Sequence, residues 1–210
     1  VYWNNDGIDV TDCKNVQITN CYVNTADDGI CLKSYHRKGQ YLCDSIYIAN
    51  CRVRSSASAV KFGTASYGGF RNIEIREIKV FDTFRSAIAI EMVDGGILEN
   101  VLVDGIQAKN TGNAIFVRLG RKFKKKPAGI LRNVTIRNVK CEVPFERMDY
   151  AYNLRGPALP YIHNIFPSSI SGIPGHPVEN VRLENIEITY PGRGNKAYAH
   201  VSLTRIEEIP

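Results

Sequence analysis

The chain has 210 residues, 44% hydrophobic and 23% charged, which is enough apolar material for one sizeable core and excludes a disordered polymer. No run approaches the ~18 consecutive apolar residues of a spanning helix, so no membrane partner is expected. The formal charge of +6 and an isoelectric point near 9.0 favour acidic partners, but composition does not choose between nucleic acid, membrane surface and anionic polysaccharide.

Taken in chain order, the elements fall into two alternating sets. Residues 7–11 (GIDVT) open the first set, which continues with 29–33 (GICLK), 59–63 (AVKFG), 87–91 (AIAIE) and 114–118 (AIFVR). Residues 15–21 (NVQITNC) open the second, followed by 45–51, 72–78, 100–106, 133–139 and 180–186, whose starts differ by 30, 27, 28, 33 and 47 residues. Within each copy apolar, mostly β-branched residues alternate with polar ones, which predicts a short strand with one buried face. Such units cannot close a core alone but do so when stacked, and unequal spacing fits coils that carry different insertions. The fold expected is all-β, a single right-handed parallel β-helix domain over 1–210, with further coils expected beyond both ends.

Asn at the corners reads as architecture, because it tolerates left-handed backbone and its amides stack from coil to coil. Cysteines occur at 13, 21, 31, 43, 51 and 141 with no CxxC or zinc spacing, so no metal site built from cysteine is expected. Cys13 with Cys43, and Cys21 with Cys51, occupy equivalent places in successive coils, and a ladder of buried reduced thiols is favoured over disulfides. The basic run at 121–126, followed by Pro127, reads as a loop, either solvated or attracting a polyanion. Residues 144–177 hold six prolines with Tyr150, Tyr152, Arg155, Tyr161, His163, Phe166 and His176. That long insertion is equally compatible with sugar stacking and with packing on the flank. Trp3 reads as core or strand edge.

Stacking tells which side chains share a surface. Ile8, Ile30, Val60, Ile88 and Ile115 form one inward column, and Val10, Leu32, Phe62, Ile90 and Val117 another; their neighbours face outward. Asp6 and Asp28 then lie in one outward column on adjacent coils, with Asp27 at the corner beside them. Lys33, Lys61, Glu91 and Arg118 lie further along the same sheet, and Thr11, Lys33, Gly63, Glu91 and Arg118 are expected as one continuous column. Carboxylates ~5 Å apart repel unless a cation or a shared proton intervenes, so their convergence beside lysines points to a site.

At these residues the chain resembles family 28 glycoside hydrolases, the polygalacturonases and rhamnogalacturonases. Asn4-Asn5-Asp6-Gly7 is similar to that family's N-T-D motif, and Asn24-Thr25-Ala26-Asp27-Asp28-Gly29-Ile30 to its D-D motif one coil later. The resemblance implies a pectin-lyase-like solenoid acting on pectic poly- or oligosaccharide without a cofactor or metal, in a secreted or periplasmic protein. It implies Asp27 as general acid, with Asp6 and Asp28 holding the water that attacks with inversion. Inversion in turn implies an Asp27 carboxyl roughly 6.5–9.5 Å from the other two. The family's G-H-G motif falls on Ala57-Ser58-Ala59 and its R-I-K motif on Ala89-Ile90-Glu91, so both usual cations are replaced. Lys33, Lys61 and Arg118 are the substitutes for binding a substrate carboxylate; alternatively the subsite takes a neutral sugar with Glu91 bonding its hydroxyls. Two rival functions stay open: a calcium-dependent polysaccharide lyase using Asp6, Asp27, Asp28 and Lys61, and a non-catalytic carbohydrate-binding or structural β-helix. Nucleic-acid binding has only the 121–126 run behind it and is not expected.

Overall fold

Alternation in the repeats becomes a stack of parallel strands. The structure, a computed structural model, describes residues 5–36, 38, 40–122, 127–144 and 167–192. Trp3, Asn4, Tyr150, Tyr152, Arg155, Tyr161, His163, Phe166 and positions 123–126 of the basic run lie outside them. The described strands are β1 (Ile8–Thr11), β2 (Lys14–Thr19), β3 (Tyr22–Thr25), β4 (Ile30–Ser34), β5 (Cys43–Ala49), β6 (Arg52–Ser55), β7 (Val60–Ser66), β8 (Gly69–Met92), β9 (Ile97–Leu119), β10 (Ile130–Glu142), β11 (Ser169–Ser171) and β12 (Glu179–Thr189). All pairings between these strands are parallel. The result is a parallel β-helix with three faces. One face stacks β1, β4, β7 and the ends of β8 and β9. A second stacks β2, β5 and the starts of β8, β9 and β10. A third stacks β3, β6 and the middles of β8 and β9.

Both inward columns form as expected on the first face. Ile8 pairs with Ile30, Ile30 with Val60, Val60 with Ile88 and Ile88 with Ile115. Ile30, Leu32, Val60, Phe62, Ile88 and Ile90 are fully buried, and each contributes roughly 1.5–3 kcal/mol on leaving water.

Corners depend on left-handed backbone. Asn15, Ser45, Asn72, Asn100, Asn133 and Asn180 all have φ between 51° and 59°. Their side chains form a ladder in which Asn100 Nδ2 donates to Asn72 Oδ1 (3.2 Å), Asn133 to Asn100 (3.4 Å) and Asn180 to Asn133 (3.1 Å). Asn185 donates to Asn138 (2.8 Å) at the next corner. All six cysteines are free, and the Cys43 thiol donates to the carbonyls of Val10 and Lys33, each at 3.3 Å.

The register departs from the simple stack in two places. Between Leu32 and Ser34 the β4–β7 pairing slips, so Gly63 (φ +88°) stands outside the expected column. Thr11 still pairs with Lys33 and Glu91 with Arg118, but the column linking them is interrupted. Between Thr83 and Ser86 the β8–β9 pairing slips again, with Phe84 fully buried and Arg85 half-buried. Bulges of this kind turn a strand and re-aim its side chains.

Candidate active site

The site lies where the third face turns into the first. There the corners of successive coils stack through Gly7 N–H to Asp28 O (2.9 Å), Gly29 N–H to Ser58 O (2.8 Å) and Ala59 N–H to Ser86 O (2.9 Å). Coils approach so closely that only small residues fit after the acids: a Cβ on Gly29 would meet Ala59 O and Val53 Cγ1, each at 2.4 Å. The Asp-Gly pairs of the sequence are the imprint of this packing.

Each corner acid caps the coil above it. Asp28 N–H donates to Asp6 Oδ1 (3.1 Å) and Ser58 N–H to Asp28 Oδ1 (3.0 Å). The other oxygens face ammonium groups. Lys33 Nζ is 2.5 Å from Asp6 Oδ2 and 2.7 Å from Asp9 Oδ2. Lys61 Nζ lies 3.4 Å from Asp28 Oδ2 and 3.4 Å from Glu91 Oε1. The repulsion between stacked carboxylates is therefore offset by two lysines. Burial pulls both lysines down, yet the acids outweigh it and hold both above the ordinary lysine value.

Asp27 differs from its neighbours. Its Oδ1 accepts the Asp28 N–H at 2.9 Å, the same donor that reaches Asp6. Those two acceptor oxygens are consequently no more than about 6 Å apart, closer than the span expected for an inverting pair. Burial raises the Asp27 carboxyl above the usual carboxylate range, helped by the charges of Asp28 and Asp6 and opposed by Arg85 and the Asp28 N–H. Because Oδ1 already accepts a hydrogen bond, a proton belongs on Oδ2. The corner therefore places a carboxyl that burial holds raised beside two carboxylates that each face a lysine.

Asp6, Asp27, Asp28, Lys33, Lys61 and Glu91 thus form one polar network, and Arg118 is the ladder neighbour of Glu91. Facing outward does not make all of them accessible. The side chains of Lys61 and Glu91 are only 3% and 2% exposed, so neither is open to a substrate. Lys61 positions Asp28 instead, and Glu91 Oε2 is buried with no hydrogen-bond partner among the described residues.

Sequence reasoning missed Arg85. Asp27, Ala57 and Arg85 follow one another at the same corner, since Arg85 N–H bonds Ala57 O (2.8 Å) and Ser58 N–H caps Asp28. Ala57 is too small to block a long side chain from the coil above, and that small residue between an acid and an arginine was the available signal. Asp6, Asp28 and Cys31 offer possible metal-ligand atoms within 4.8 Å of one another. The donor set fits an ion poorly: burial, and then Asp28, hold the Cys31 thiol well above its usual value. Its S–H donates to Gly63 O (3.1 Å), and lysines already face both carboxylates.

Comparison with protein-family models, with curated proteins and with solved structures finds no match to this chain.

Proposed function

We propose that the chain is the catalytic region of a glycoside hydrolase that cleaves pectic poly- or oligosaccharide of the galacturonan or rhamnogalacturonan type, in a secreted or periplasmic protein. The observation that carries this reading is the raised carboxyl of Asp27 beside Asp6 and Asp28, each of which faces a lysine. Asp27 donates its proton to the leaving glycosidic oxygen. Asp6 and Asp28 hold the water, one of them taking its proton as it attacks the anomeric carbon. Inversion at that carbon is what the family resemblance implies, and the close approach of the Asp27 and Asp6 oxygens is the observation against it. Lys33, Arg85 and Arg118 are partly exposed cations of this sheet and its corner and fit a uronate carboxylate better than buried Lys61 does.

One observation favours a non-catalytic reading. The backbone caps made by Asp6 and Asp28 continue a ladder of corner polar residues that includes Ser58, Ser86 and Asn113, so a structural duty accounts for one oxygen of each. A lyase that uses Lys61 as its base fits less well, because that lysine is enclosed by Asp28 and Glu91.

A product screen on pectic oligosaccharides with the intact protein separates the three. New reducing ends without unsaturated sugars support hydrolysis. Calcium-dependent unsaturated products identify a lyase, and binding without turnover identifies a carbohydrate-binding β-helix.

A further inference from the structure

The outer surfaces of the second and third faces differ in how their charges are arranged, although the third face also holds ion pairs, Arg54 with Asp82 (4.0 Å) and, further along the Arg52–Lys79 column, Lys140 with Glu187 (2.9 Å). On the second face the arginines are matched: Glu99 lies between Arg71 (3.2 Å) and Arg132 (2.7 Å), and Asp104 between Arg76 (2.8 Å) and Arg137 (2.7 Å). On the third face Tyr22, Arg52 and Lys79 share one outward column on successive coils, and Phe81 pairs with Lys109 beside it. Arg52, Lys79 and Lys109 are exposed and form no ion pair among the described residues. The Arg52 guanidinium is fixed rather than free to wander, lying 5.8 Å from the Tyr22 ring centre and 5.5 Å from that of Phe81. Those rings are stacked at 6.3 Å and 18°, and Tyr22 is 61% exposed.

We propose that this surface is a docking face for a linear polysaccharide bearing carboxylates, which it holds beside the Asp6–Asp27–Asp28 corner. The inference rests on the hydrolase reading for its choice of polymer. Cations repeating at the coil rise of ~4.8 Å pair with carboxylates along a chain, and the open face of Tyr22 receives a sugar ring. Continuity supports it, since β3 runs from Tyr22 to Thr25 and two residues later reaches Asp27. The cation column runs along the stacking axis and β3 across it, and from Tyr22, at the end of that column, the path to Asp27 is about 16 Å at ~3.3 Å per residue, so a polymer turning at Tyr22 reaches both places and a trimer bound at the corner does not. Single-stranded nucleic acid is a poorer occupant. It needs a series of open aromatic platforms, whereas Phe81 is half-buried and already stacked with Arg52.

The test measures binding of labelled long polygalacturonate, its methyl ester, its trimer and a single-stranded DNA to the intact protein carrying Asp27→Asn, with and without Arg52→Ala/Lys79→Ala/Lys109→Ala. The proposal expects the triple substitution to weaken the long polymer about tenfold at low salt, to flatten its salt dependence, and to leave the trimer unchanged. The methyl ester should bind to the unsubstituted face as weakly as the acid does to the triple variant. Equal binding of the long polymer before and after substitution overturns the proposal, as does tighter binding of the DNA. If the substitutions weaken the polymer but the wild-type protein releases no reducing ends, the docking face stands and the hydrolase reading falls. Cleavage with unaltered polymer binding keeps the hydrolase reading and removes the docking face.

Discussion

Lys33 and Lys61 each face one aspartate of the same corner, yet their surroundings give opposite consequences for removing them. Lys61 is enclosed with Asp28 and Glu91, so Lys61→Met strands two carboxylates without a cation. It should cost about 3–5 kcal/mol, measured by urea unfolding. Lys33 and its partners are partly solvated, and Lys33→Met should cost no more than about 1 kcal/mol. Equal, small losses would contradict the buried-triad account. Arg85 acts on Asp27 in the opposite sense to burial. Removing its charge lets the Asp27 carboxyl rise further, so the proton donor survives to higher pH. In Arg85→Ala the alkaline limb of kcat should therefore move to higher pH; an unmoved or lower limb would show that Asp27 is not the titrating acid. The stacking of Asp6 on Asp28 was legible from the sequence because both precede a glycine in equivalent repeats. The enclosure of Lys61 and Glu91 was not, since alternation gives the side of the strand a residue faces and says nothing of what covers it.

The corners carry the elements. Asn100 combines φ 59° with hydrogen bonds on both sides, donating to Asn72 and accepting from Asn133. Asn100→Ala loses both bonds and takes on left-handed strain, and should cost about 1–3 kcal/mol in stability. Asn100→Gly relieves the strain and should cost less. Calorimetric melting of the pair checks that order, and an alanine variant as stable as the glycine one would deny the left-handed corner its role. The Asn ladder and the inward columns were readable because both recur at equivalent positions from coil to coil. Both bulges escaped, for a related reason: the slip at Gly63 is two extra residues in one coil and that at Phe84–Arg85 is one, and unequal repeat lengths do not locate the corner that holds them. The slip at Arg85 is also why this cation beside Asp27 went unrecognised.

At the scale of the whole molecule, the solenoid gives each coil only its neighbours for support, so the stack tolerates coils of unequal length while keeping one corner in register. That register brings the carboxylates of Asp6 and Asp27 to the backbone N–H of Asp28, 22 positions beyond Asp6. The same regularity gathers matched arginines and acids on the second face, while the third mixes the ion pairs Arg54–Asp82 and Lys140–Glu187 with the unmatched cations Arg52, Lys79 and Lys109. The overall charge of +6 gave the sign of this imbalance but not its location. The central claim is that the raised carboxyl of Asp27 is a proton donor in glycoside hydrolysis. It is tested most directly by comparing the intact wild-type protein with its Asp27→Asn variant on the pectic oligosaccharide it cleaves, measuring turnover and binding separately. The account predicts that turnover falls ~10²-fold or more while binding stays nearly unchanged. Wild-type turnover in Asp27→Asn would contradict it.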